Sequence, residues 1–205
     1  MSRPTTRSLR PSATWIVAGL GNPGDRYAAT RHNLGFRVVE ELARRAGERF
    51  RKVRFVPIDL AEVREGADRL LLGRSHRFYN ESGEVYASLA RKREVDAGHL
   101  IAVHDELDLP FGALRLKLGG STAGNHGLDS LVGAFRTPEF FRIRLGIGRP
   151  PGRQDPIDYV LEPFPKRADA DVAMLVDDAA DAVVSLVRDG LGAAQDRYNR
   201  SGPRA

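Results

Sequence analysis

Four side chains in this sequence could act together on an ester or amide carbonyl. They are Asn22, His32, Asn80 and Asp105. A histidine beside a carboxylate is a general base with its orienter: the carboxylate accepts from one ring nitrogen and raises the basicity of the other. No serine stands in a G-x-S-x-G elbow and cysteine is absent, so the nucleophile would be water. Asn22 and Asn80 could place the carbonyl or donate to the developing oxyanion, a role worth roughly 3–4 kcal/mol per good donor. For a lone histidine, helix capping or a surface position is the stronger reading. His104-Asp105-Glu106-x-Asp108 could also suggest a magnesium or calcium site. An extended strand end would split those acids between opposite faces and no further acids cluster nearby, so no metal is expected.

Each of the four follows an apolar run. Residues 15–18, WIVA, read as a buried strand. The Gly-rich turn of residues 19–24 holds Asn22, and an amphipathic helix carrying Phe36, Val39, Leu42, Ala43 and Ala46 begins just after His32. Residues 69–73 form a second buried strand that feeds the loop holding Asn80, and residues 100–103 a third that runs into Asp105. If these strands are parallel neighbours, the four side chains meet on one rim.

Elsewhere, residues 53–63 read as a strand with Pro57 at an edge or bulge. Residues 113–118 and 141–147 alternate apolar and basic positions. Their Lys117 and Arg144 are either an ordinary solvated strand face or, if the strands are neighbours, a pair able to grip one phosphate. Residues 119–124 form a mobile loop before a short helix at about 125–135, residues 148–156 are irregular, and a long helix spans about 167–188. The order of elements gives one α/β domain, a twisted mixed sheet flanked by helices, over residues 14–200. Residues 1–13 read as a disordered basic tail and 201–205 as a second short tail.

The chain has 205 residues, 41% of them hydrophobic, enough for one full core. No apolar run approaches the ~20 residues of a membrane span, and no hydrophobic leader is visible. The lack of cysteine excludes disulfides and thiol chemistry and fits a cytoplasmic location. A net charge of +5 and a pI near 9.9 suit a polyanionic partner such as RNA without requiring one.

With these segments in hand, the chain resembles bacterial-type peptidyl-tRNA hydrolases. The resemblance rests on residues 15–36 (WIVAGLGNPGDRYAATRHNLGF), 78–83 (FYNESG), 103–120 (VHDELDLPFGALRLKLGG) and 142–150 (RIRLGIGRP) with 159–161 (YVL), in the family's order. It implies a monomeric, cofactor-free and metal-free esterase. Such an enzyme cuts the ester between a peptide and the 3′ ribose of tRNA, and so recycles tRNA. By position, His32 would be the base, Asp105 its partner, and Asn22 and Asn80 the positioning amides. Lys117 and Arg144 would clamp the tRNA 5′ phosphate, residues 119–124 would be a lid, and Tyr27, Tyr79, Asn125 and His126 would contact substrate.

Two departures mark a divergent member, of the kind that could be a second copy beside a standard enzyme. The family usually has His-Asn-Gly after the lid, its Asn positioning the attacking water; here the order is Asn125-His126-Gly127. One position on a helix turns a side chain by ~100°. Either Asn125 reaches the site, or His126 takes over, or the water is held less well. The family also usually has Met before the second Asn, where this chain has Tyr79, which is expected to narrow the wall receiving the peptide. The rival function is an RNA-binding relative with weakened or lost catalysis. A hydrolase of another aminoacyl or peptidyl ester is a third.

Overall fold

The apolar run at Trp15 becomes β1 (Thr14–Gly19), the centre of the sheet and buried on both faces. The structure is a computed structural model and describes residues 12–199. Most of the two expected tails therefore lies outside the described residues. Ala13, assigned to the tail by sequence, belongs to the folded body. Its N–H donates to the Asp68 carboxylate at 2.8 Å and its carbonyl accepts from Arg69 N–H at 2.9 Å.

β1 leads through the Gly-rich turn and two 3-10 turns into α1 (Leu34–Arg45). A hairpin follows, β2 (Arg51–Lys52) with β3 (Ile58–Glu65), then β4 (Asp68–Ser75) and α2 (Ser82–Arg93). Next come β5 (Leu100–Glu106), β6 (Leu114–Leu118), α3 (His126–Phe135) and β7 (Phe141–Gly146). The chain closes with α4 (Pro156–Leu161), α5 (Asp169–Asp189) and α6 (Leu191–Tyr198). The strands form one seven-stranded sheet in the order β2-β3-β4-β1-β5-β7-β6. Its centre, β4-β1-β5-β7, is parallel, and the β2-β3, β3-β4 and β6-β7 pairs are antiparallel.

Alternation along β1 divides the core into two layers. Trp15 and Val17 join β5, α1 and α5 on one face, through Val39, Leu42, Val176 and Val183. Ile16 and Ala18 face α2 and α3, through Leu89, Tyr86, Leu128 and Leu131. The Tyr86 hydroxyl lies 2.7 and 2.8 Å from the Gly19 and Gly73 carbonyls, which ties α2 to the ends of β1 and β4. Among the described residues no helix is long and apolar enough to cross a membrane.

Two expectations need correction. Residues 53–63 are not one strand. Val53 N–H donates to the Ile58 carbonyl, Phe55 takes a positive φ of 66°, and the chain reverses before β3 begins just after Pro57. The irregular segment expected over 148–156 ends in a helix, α4, that the sequence reading missed. Asp155 caps it by accepting from Ile157 N–H at 2.7 Å, and Pro156 fills its first turn.

Candidate active site

The parallel arrangement β4-β1-β5 brings three strand ends together, as Asn22, Asn80 and Asp105 require. His32 arrives from the other direction, at the entry to α1. That entry packs directly on the strand ends: a Cβ on Gly35 would lie 2.2 Å from the Val103 carbonyl oxygen and 2.4 Å from Leu20 N. Only glycine lets α1 approach this closely. The approach brings His32 Nδ1 to 3.0 Å from both carboxylate oxygens of Asp105.

Asp105 is buried, and His32 keeps 18% of its side-chain surface open. Burial alone would push the Asp105 carboxyl up. The charge and hydrogen bond of His32, helped by His104 and the Tyr79 hydroxyl, hold it below the usual carboxylate range. A carboxylate facing Nδ1 makes that nitrogen the donor and leaves Nε2 with the lone pair. The pair borders a cavity of about 500 Å³, lined also by Asn22, Phe78, Tyr79, Asn80, Leu107, Asn125, His126, Ile157, Val160 and Leu161.

Asn22 is held from three directions. Its Oδ1 accepts from Tyr79 N–H at 2.8 Å, which leaves the amide nitrogen to donate at the cavity wall. Its backbone is gripped by the buried Asn33 side chain. Asn33 Oδ1 accepts from Asn22 N–H at 2.8 Å, and Asn33 Nδ2 donates to the Asn22 carbonyl at 2.9 Å. Asn80 is exposed on the 3-10 turn Tyr79–Glu81 and lines the cavity. Tyr27 is absent from the cavity lining and sets its ring edge against Phe78, which does line it.

The apolar wall comes from α4, and buried Arg31 holds it there. The Arg31 guanidinium donates to the Tyr159 and Glu162 carbonyls at 2.9 and 3.1 Å and lies 4.0 Å from the centre of the Tyr159 ring. Arg31 and Asn33 flank His32, and both are structural residues that place it. The sequence reading gave no role to Arg31 or Asn33; their adjacency to the histidine was the available signal.

Lys117 and Arg144 stand on neighbouring antiparallel strands, but the expected outward-facing basic surface is only partly present. Lys117 pairs in register with Arg142, which is fully buried and donates to the Gly120 and Ser121 carbonyls, both at 2.7 Å. Arg142 thus fastens the root of the 119–124 loop, a role the sequence reading did not give it. Arg144 donates from Nε to Glu106 at 3.0 Å. Burial, then the adjacent Arg142 and Arg144 charges, hold the Lys117 ammonium below the usual lysine range. A crowd of three cations around one carboxylate favours an anion. Among the described residues no group of three or more His, Asp or Glu is placed to hold a metal ion.

The family model described as peptidyl-tRNA hydrolase matches residues 16–204. The chain is 48% identical to the peptidyl-tRNA hydrolase of Nocardia farcinica, over 90% of this chain and 95% of the relative. It is 48% identical to that of Frankia casuarinae, over 90% and 93%. The solved structure of Acinetobacter baumannii peptidyl-tRNA hydrolase superposes with a TM-score of 0.83 at 31% identity, covering 95% of this chain and 97% of that one. The chain belongs to the peptidyl-tRNA hydrolase family.

Within this family member, the two departures noted in the sequence meet in space. Asn125, not His126, faces the buried part of the site. Its Oδ1 caps α3 by accepting from Leu128 N–H at 3.0 Å, and its Nδ2 donates to the Tyr79 hydroxyl at 3.0 Å. His126 is 79% exposed, 3.6 Å from Asp129, at the cavity rim. Tyr79 is more than a bulky wall residue. It is buried, stacks on His32 and donates from its hydroxyl to Asp105 at 3.1 Å.

Proposed function

We propose that this member of the peptidyl-tRNA hydrolase family hydrolyses the ester between a peptide and the 3′ ribose of tRNA with His32 as general base. The observation that carries this reading is the His32–Asp105 pair, assembled at the edge of a cavity with an apolar wall. Nε2 of His32 takes a proton from a water molecule as its oxygen attacks the ester carbonyl. Asp105 holds the imidazole in the required tautomer and balances the imidazolium that forms. The amides of Asn22 and Asn80 are the donors available to the tetrahedral oxyanion. Collapse breaks the bond to the ribose 3′ oxygen, which takes the proton from His32. Water and ester thereby become a free peptide carboxylic acid and a tRNA 3′ hydroxyl.

Leu107, Ile157, Val160 and Leu161 give the peptide an apolar bed, and His126 stands at its rim. Asn125 contacts the substrate side of the cavity beside Tyr79, and Tyr27 acts through Phe78. Lys117, with Arg144, receives the tRNA phosphate, and the 119–124 loop rooted on Arg142 forms the lid. The mechanism asks for no cofactor or metal. One chain supplies every group, so a monomer in the cytoplasm suffices.

His32→Ala tests the reading. Turnover of an N-blocked aminoacyl-tRNA should vanish while tRNA binding stays close to native. Surviving turnover would show that another group is the base. The ordered pair favours an esterase over a pure RNA binder, which has no use for an oriented imidazole.

A further inference from the structure

We propose that Tyr79 is a positioning residue for this hydrolysis: held by Asn125, its hydroxyl shares Asp105 with His32, and its ring fixes the plane of the imidazole. The inference rests on His32 acting as the base.

The direction of the hydrogen-bond chain follows from the helix cap. Asn125 Oδ1 accepts from Leu128 N–H, so its amide is oriented with Nδ2 toward the Tyr79 oxygen. A phenol has one proton. With its oxygen receiving from Asn125, that proton goes to Asp105 Oδ1 at 3.1 Å. Asp105 thus accepts from Tyr79 on one side and His32 on the other. Burial, then the Asp105 charge, pushes the phenol far up, so it remains a donor and takes no part as an acid or base.

The ring performs a second task. It lies 3.5 Å from the His32 ring, centre to centre, at 16° between planes. The fold makes room for it: a Cβ on Gly127 would lie 2.4 Å from Tyr79 Cε1. The backbone N–H of Tyr79 donates to Asn22 Oδ1. Tyr79 therefore touches Asn22 through its backbone and His32 and Asp105 through its side chain.

Other charged groups lie near Asp105 and along the same cavity, where Asp108 is paired with Arg149. His104 and Glu106 flank it on β5, and Arg144 on β7 is paired with Glu106. From α3, His126 and Asp129 face each other in solvent. Removing the Tyr79 hydroxyl thus removes a specific donor from Asp105 while these groups remain.

Without that donor Asp105 is a stronger acceptor for the imidazolium. The imidazolium then gives its proton less readily to the departing ribose oxygen. The test is the pH profile of kcat/KM on an N-blocked aminoacyl-tRNA, which reports the free enzyme's base. In Tyr79→Phe the acid limb should move up by about half a pH unit. kcat should fall about tenfold with KM little changed, as expected when a base is less well placed. Asn125→Ser keeps a good helix cap and drops the amide donor. It should move the limb the same way by less, and add nothing in the Tyr79→Phe background. Thermal melts establish that each variant is folded. A Tyr79→Phe profile that superimposes on the native one overturns the proposal, as does an Asn125→Ser shift that persists in full without the hydroxyl. His32→Ala run alongside separates the two readings. If it is inactive while Tyr79→Phe is unshifted, only the role of Tyr79 fails; if it is active, the base assignment fails and the role of Tyr79 with it.

Discussion

Asn33→Ala would test whether the site is built from the backbone outward. Asn33 is 2% exposed and its side chain makes two hydrogen bonds, both to the main chain of Asn22. Alanine leaves one N–H and one carbonyl without their partner, each costing ~1–3 kcal/mol when fully buried. A second cavity of about 310 Å³ borders both asparagines, so water can reach part of the gap. The lower end of the range is therefore expected, about 2 kcal/mol in total. For a chain of this size that lowers Tm by about 4–8 °C. Urea unfolding should show an earlier midpoint with an unchanged slope.

The effect on turnover should be larger than the effect on stability. Asn22 would lose its anchor at the point where its side chain meets Tyr79 and the cavity. A displacement near 1 Å is enough to lower kcat by about 100-fold. Asn33→Asp retains the acceptor for Asn22 N–H but sets a carboxylate oxygen against its carbonyl, so it should cost at least as much as alanine at neutral pH. If Asn33→Ala melts within about 1 °C of native and keeps kcat within about threefold, the Asn33–Asn22 cross-link does not hold the site.

Lys117→Ala should weaken tRNA substrates much more than minimal esters lacking the phosphate, and lower the salt slope of tRNA binding by about 1. Equal losses on both substrates would remove the phosphate role. Asp105→Asn probes the buried pair through pH. The folded Asp105 carboxyl is held below its ordinary value, so its pairing contributes stability above the unfolded value of about 3.9 and loses it as pH falls through the folded one. The Tm gap between native and Asp105→Asn should be widest above about pH 5 and narrow progressively as pH falls below about 4. A gap that widens on acidification would contradict the pairing.

The strand ends were legible because buried parallel strands are continuous apolar runs and their loops carry the polar residues. Residues 15–18, 69–73 and 100–103 show this pattern, and their parallel pairing is the one further condition that brings Asn22, Asn80 and Asp105 together. What stayed hidden depends on contacts across long sequence separations. Arg31 meets Tyr159 across 128 residues, and Tyr79 meets Asn125 across 46. No local period encodes such pairs. α4 was obscured for a different reason: six residues are too short for a helical stripe, and its cap, Asp155-Pro156, sits in a stretch rich in breakers. The Asn125-His126 order was visible, but its consequence was not. A one-residue shift looks like a lost water-positioning amide until Tyr79 is seen to fill the space between Asn125 and Asp105. Asn125 and Tyr79 then act as one unit: the phenol reaches Asp105, and the cap position supplies the donor that orients it.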